Sequence, residues 1–173
     1  PPAPSGIVYL AANGIVDAYP LEAADSSRRK EIMKKLNVDA IAVATVKIEL
    51  EKGASLSYFE RHVHGPNGGV QIVPVTKVRL SEGARFSTEF ELIKGAAGVI
   101  DLDYAAEVGK DATVDMKTRI FGRLEDSIRI KESANLLGES STGVLTSHIA
   151  IKDKASAIIE NEIIADAPYA RGH

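Results

Sequence analysis

The stretch "FERHVHG" carries Glu60, His62 and His64 at steps of two. In a strand, side chains alternate between faces, so these three would share one face with neighbours ~7 Å apart. Two imidazoles so placed could share a divalent metal such as zinc or iron, with Glu60 as a third, oxygen ligand. The plainer reading of the same residues is a polar outer face beside the "GPNGG" turn at Gly65 to Gly69. A second pair, Asp101 and Asp103 in "IDLDY", has the same ~7 Å spacing, near the carboxylate separation of inverting glycosidases. Both fall on the charged phase of their strand, which reads as a solvated face. His148 and His173 stand alone: His148 reads as structural, and His173 is terminal.

Other chemistries find no residues. The chain has no cysteine, which removes disulfides, zinc–thiolate sites and thiol nucleophiles. It has no tryptophan and only 5% aromatic residues, which counts against carbohydrate platforms and nucleobase stacking. A net charge of −3 lacks the basic excess of a nucleic-acid binder. Neither "GPNGG" nor "LLGESSTG" supplies the Gly-Lys-Ser/Thr of a phosphate-binding loop, and "GESSTG" lacks the spacing of a nucleophile elbow. The chain itself is therefore not expected to hydrolyse ATP. No apolar run approaches the ~20 residues of a membrane-spanning helix, and no secretory signal is visible, so the plain reading of localisation is cytoplasmic.

The elements that must position these residues fall into two regions. Residues 1–40 contain the lead "PPAPSG" and the stretch "SSRRKEIMKKL", which predicts a short amphipathic helix. Ser27 is its N-cap, and Ile32, Met33 and Leu36 share a face. Its Arg28, Arg29, Lys30, Lys34 and Lys35 read as a solvated face. From about residue 43 the period becomes two. Between Thr76 and Leu92 the even positions carry Val78, Leu80, Ala84, Phe86, Phe90 and Leu92, while the odd positions are largely charged. That alternation predicts half-buried strands.

Five corners share one form: "LEKGA", "LSEGA", "VGKDA", "LGESS" and "IKDKA". Their closing small residues, Ala54, Ala84, Ala112, Ser141 and Ala155, recur at steps of 30, 28, 29 and 14 residues. Three steps near 29 and one half-step indicate an internal repeat with a second corner per turn, and such a period calls for a solenoid. A four-residue offset preserves strand phase across each corner, and a small residue there lets coils stack closely. The fold class expected is an all-β parallel β-helix over residues 41–173, with an antiparallel sandwich as the competitor. Leu50, Leu56, Leu80, Phe86, Phe90, Leu102, Val108, Val114, Ile151 and Ile159 are expected to face inward. The first residue is proline rather than methionine, and the pattern stops in mid-repeat at Gly172-His173. Both points lead us to expect a truncated chain or an end edge covered by missing residues or a partner.

The segments "KIELEKGASLSYFERHVHG", "PVTKVRLSEGARFSTEFELIKG" and "TGVLTSHIAIKDKASAIIENEIIADAPYARGH" resemble the core of the SufB/SufD family, scaffold components of iron–sulfur cluster assembly. The resemblance covers roughly residues 41–173. It implies a right-handed parallel β-helix, agreeing with the repeat, and a non-catalytic scaffold subunit. It also implies a SufC-like ABC-type ATPase partner docking on C-terminal helices, and a dimer formed with a SufB/SufD-like paralogue or with itself. In the family the "ARGH" segment is typically followed by a cysteine-bearing strand, a His-Glu or His-Gly motif and those helices, none of which is present here. The resemblance thus implies an iron–sulfur cluster for the full-length complex and none bound by this chain. The alternatives are a carbohydrate-active β-helix enzyme and a purely structural solenoid mediating subunit contacts.

Overall fold

The computed structural model describes residues 14–20 and 40–173; the helix expected within Ser27 to Leu36 lies outside them. Every regular element among the described residues is a strand. Strand β1 (Gly14–Pro20) pairs antiparallel with β2 (Ala40–Leu50). From β2 onward the chain coils, alternating between two parallel sheets. The first sheet carries β2, β4 (Val70–Leu80), β6 (Gly98–Val108), β8 (Ser127–Leu136) and β10 (Ser156–Ile164) in that order, with β1 on its outer edge. The second carries β3 (Ser55–Val63), β5 (Arg85–Lys94), β7 (Thr113–Gly122), β9 (Thr142–Ile151) and the short β11 (Arg171–Gly172). Consecutive strands thus lie in opposite sheets, and each coil sets one strand on the same-sheet strand of the coil before.

The register explains the sequence period. Leu50 pairs with Leu80, Leu80 with Val108, and Val108 with Leu136. Across the core, Ser55, Arg85, Thr113, Thr142 and Arg171 follow one another in the second sheet. The repeating corners join the first sheet to the second. The half-step at Ala155 belongs to the opposite corner, between β9 and β10.

Each corner is a four-residue turn closed by a backbone bond onto its small residue, as from Ala84 N to Ser81 O (3.1 Å) or Ala112 N to Gly109 O (3.2 Å). The third residue of the turn takes positive φ at the same place in every coil: Gly53 (71°), Gly83 (66°), Asp111 (55°), Ser140 (58°) and Tyr169 (58°). That is the requirement of a type II-like turn, which Gly meets freely and Asp tolerates better than most residues. The corners also bond to one another, as from Gly53 N to Glu82 O and Gly83 N to Lys110 O, so stacking continues where the strands stop. Ala84, Ala112 and Ser141 are wholly buried at the inner side of their turns. A larger side chain there would force adjacent coils apart.

The apolar phase of the strands fills the space between the sheets. Eight of the ten expected inward positions, Leu50, Leu56, Leu80, Phe86, Phe90, Leu102, Val108 and Val114, are buried. Ile151 and Ile159 are exceptions at 49% and 46% exposed. Their phase is right, since Ile159 pairs with buried Ile130 and Ile151 with Gly122. They are exposed because, among the described residues, no strand stacks on β10, while β11 covers only Thr142 and Gly143 of β9. Burial here needs a coil on both sides, and the sequence phase reports only one of those conditions.

Replacing Phe90, which is fully buried, by Ala is expected to destabilise the fold by ~3–5 kcal/mol through lost burial and a residual cavity. Arg85→Ala, on the outer face, should change stability by less than ~0.5 kcal/mol. Urea melts of the two variants check this; equal losses would reject the assigned inner face.

Candidate functional site

The "FERHVHG" segment lies at the end of β3, and its even positions point inward rather than out. Residues 56, 58, 60, 62 and 64 share the phase of buried Leu56, and the His62 ring packs 5.0 Å from the ring of buried Phe90. The outer-face reading of Glu60, His62 and His64 is therefore corrected. Its error was to infer facing from polarity, whereas the phase set by Leu56 and Tyr58 runs unbroken into the polar residues.

Glu60 is the hub of this cluster. Its Oε2 accepts hydrogen bonds from Tyr58 Oη (3.1 Å) and Tyr104 Oη (2.8 Å), and its Oε1 lies 2.6 Å from His62 Nε2. Burial by itself would raise the Glu60 pKa, but the bonds from His62 and the two phenols outweigh it and hold the carboxyl below its ordinary value. Burial, and then the negative charge of Glu60, push both tyrosines well above the usual phenol range, so each remains a donor. His62 and His64 stack with ring centroids 5.7 Å apart and planes 12° from parallel. Burial chiefly, and then His62, lower the His64 pKa against an opposing pull from Asp126. Asp126 is itself occupied, accepting from Gly98 N (2.8 Å) and Arg123 N (2.9 Å).

The interior continues as a file of polar groups that the sequence reading missed. In the first sheet the register aligns Thr76, Tyr104, Glu132 and Asn161; in the second it aligns Glu60, Phe90, Thr118 and Ser147. Glu132 has no exposed surface. Its two oxygens accept from Thr118 Oγ1 (2.6 Å) and Ser147 Oγ (3.3 Å), and Asn161 Nδ2 bonds to Ser147 Oγ (3.1 Å). With hydroxyls and no cation as partners, burial dominates and raises the Glu132 pKa. The signal was available: Glu132 lies 28 residues after Tyr104, one coil on, in the inward phase of β8.

The remaining candidates are surface features. Asp103 pairs with Lys77 (3.3 Å) and Asp101 with Arg129 (3.9 Å), each across neighbouring coils and about half exposed. These are ion pairs between adjacent strands on the outer face of the first sheet, and the two carboxylates do not face each other across a cleft. His148 is exposed on β9 beside a shallow depression floored by Ile93, Phe121 and Ala150, which leaves its expected structural role without interior packing. His173 is exposed, and its backbone bonds to Gly143 and Leu145. Among the described residues no three His, Cys, Asp or Glu side chains converge as a ready metal cluster. No helix there is long and apolar enough to cross a membrane.

Fold and interior together define a parallel β-solenoid whose buried ionisable groups face its axis. No family model matches the chain, and no solved structure matches it. Among curated proteins it is similar to an iron–sulfur cluster assembly SufBD family protein of Methanocaldococcus jannaschii, 33% identical over 126 residues, covering 73% of this chain and 40% of that protein. It is also similar to a protein of the same description from Pyrococcus horikoshii, 29% identical over 130 residues, 75% of this chain and 39% of the relative. A second P. horikoshii protein so described is 27% identical over 101 residues, 58% of this chain and 22% of that protein. The chain belongs to the SufBD family of iron–sulfur cluster assembly proteins. It spans about 40% of the length of the first two relatives.

The two buried carboxyls are expected to respond oppositely to pH. Glu60, with a lowered pKa, stabilises the fold above the ordinary Glu value of 4.5, and that stability is lost as pH falls through its folded pKa. Glu132, with a raised pKa, favours the fold most below 4.5, and this is lost as pH rises through its folded pKa. In denaturant melts across pH, wild type should therefore weaken relative to Glu132→Gln above 4.5 and relative to Glu60→Gln below it. Parallel profiles would refute the assignments. Tyr104→Phe should destabilise by ~1–3 kcal/mol at neutral pH, since it removes a donor to a buried charge.

Proposed function

We propose that this chain is the β-solenoid part of a non-catalytic scaffold on which iron–sulfur clusters are assembled, acting in the cytoplasm with a SufC-like ABC-type ATPase. The observation that carries the reading is the match to three relatives described as iron–sulfur cluster assembly proteins of the SufBD family. The solenoid supports it in physical terms. Coils bonded through both strands and corners make a stiff body, suited to holding partners apart at fixed spacing rather than to closing around a small substrate. Glu60, His62 and Glu132 are engaged in bonds inside the solenoid, and Asp101 and Asp103 in ion pairs between coils.

In this reading the cluster is cargo. Clusters are held mainly by cysteine thiolates, and the chain contains none, so a cluster requires thiolates from other parts of a longer polypeptide or from a partner. A second SufBD-type solenoid, either a paralogue or another copy, is the partner proposed beside the ATPase.

The test is anaerobic reconstitution with iron and sulfide of the 173-residue chain and of a polypeptide carrying it at the relatives' full length. The short chain should fold and show no visible sulfide-to-iron absorption; the long one should show it and co-purify with the ATPase. A stable cluster on the short chain would mean ligands other than thiolates, and a long chain that ignored the ATPase would overturn the partnership.

A further inference from the structure

We propose that His62 and His64 together form a labile site for a divalent transition-metal ion, with Glu60 as the positioning residue behind His62. Three features converge. The imidazoles sit two residues apart on the same strand face, stacked at 5.7 Å, so a modest rotation about their side-chain torsions brings one nitrogen of each toward a common point. His62 uses Nε2 on Glu60 (2.6 Å), which leaves Nδ1 for an ion; metal-bound histidines commonly carry a carboxylate on the other ring nitrogen in this way. His64 Nε2 is buried with no hydrogen-bond partner among the described residues, an unusual state for a polar atom and one that a metal bond would relieve.

The surroundings set the kind of ion. Two neutral nitrogen donors favour zinc, cobalt, nickel or ferrous iron over magnesium and calcium, which prefer oxygen. Glu60 does not serve as a direct ligand, because both of its oxygens are engaged by His62, Tyr58 and Tyr104. Asp126, whose charge also acts on His64, is bonded to two backbone amides. The ion would thus have two protein ligands, with water completing its shell. The His62 side chain keeps 19% of its surface exposed, so water and an incoming ion have access. Structural zinc sites are closed by four protein ligands; one with two ligands and open positions exchanges readily. Such a site suits temporary holding of an ion on its way elsewhere. The assignment of ferrous iron as the natural occupant rests on the proposed role in cluster assembly, while the metal site itself does not.

The experiment is anaerobic titration of the intact chain with cobalt(II), followed by its visible absorption, with ferrous iron then added as competitor. One equivalent is expected to bind saturably and to broaden the ring-proton resonances of His62 and His64 ahead of those of His148 and His173. Glu60→Gln, by loosening His62, should weaken binding by ~10–100-fold, the usual effect of losing such a partner. His62→Ala and His64→Ala should each abolish saturation, and His148→Ala should leave it unchanged. Circular dichroism checks that each variant is folded, and the broadening pattern in the unaltered chain is independent of any variant. Absence of saturable binding, broadening centred on His148 or His173, or binding untouched by both alanine variants would overturn the site. Cobalt bound at the pair but not displaced by ferrous iron would overturn the iron assignment alone. Neither result depends on cluster formation or on the ATPase, so the scaffold reading stands or falls separately.

Discussion

The structure depends on one constraint: after each circuit of about 29 residues the chain must return in register with itself. Parallel strands gain their hydrogen bonds from the coil before and the coil after, so a circuit of the wrong length would set apolar residues against solvent. The corners are where this constraint is enforced. A turn with positive φ at its third position and a small buried residue at its fourth reverses the chain within four residues while keeping strand phase. The backbone bonds between stacked corners then make the bend of one coil the template for the next. Core, polar file and outer ion pairs all inherit their alignment from that return.

Inside the solenoid the same alignment is applied to groups that do not belong in an apolar core. Glu60 and Glu132 both point inward, yet their environments push their protonation in opposite directions. Glu60 receives two phenol hydroxyls and sits against an imidazole, so its charge is stabilised. Glu132 has only hydroxyls and deep burial, so its neutral form is favoured. A buried carboxylate is seldom the most stabilising choice for its space, but a satisfied one penalises wrong pairings more than an aliphatic side chain does. Tyr104 reaches Glu60 only if β6 and β3 hold their relative positions, which ties the two sheets together near one end.

Much of the fold was legible because stacking repeats a local pattern. The alternation from Thr76 to Leu92 encodes strand phase, and the recurrence of Ala54, Ala84 and Ala112 encodes coil length. What escaped has identifiable causes. Strand β1 lies between the lead "PPAPSG" and "SSRRKEIMKKL" and gives no local signal, since "GIVDAYP" has no clean period and its pairing with β2 is nonlocal. Glu60, His62 and His64 were placed outward because polarity was weighed above phase. Glu132 was overlooked because a single acid in a strand looks like a surface residue unless it is aligned one coil back with Tyr104. The exposure of Ile151 and Ile159 depends on what stacks above them, which no local pattern encodes. The pairing of His62 with Glu60 likewise arises from rotamers rather than spacing.

The recurring corner also bears on how proteins of this architecture change length over evolutionary time. Insertion of a single residue in a strand would invert every side chain downstream until the next turn, and would uncouple the corner from those above and below it. Duplication or loss of a whole circuit leaves phase, turn conformation and backbone pairing as they were, because each coil presents to its neighbours nearly the same edge that it receives. Size should therefore vary in quanta of roughly 29 residues, while smaller insertions gather at the opposite corners, which already differ in length between β3–β4 and β5–β6.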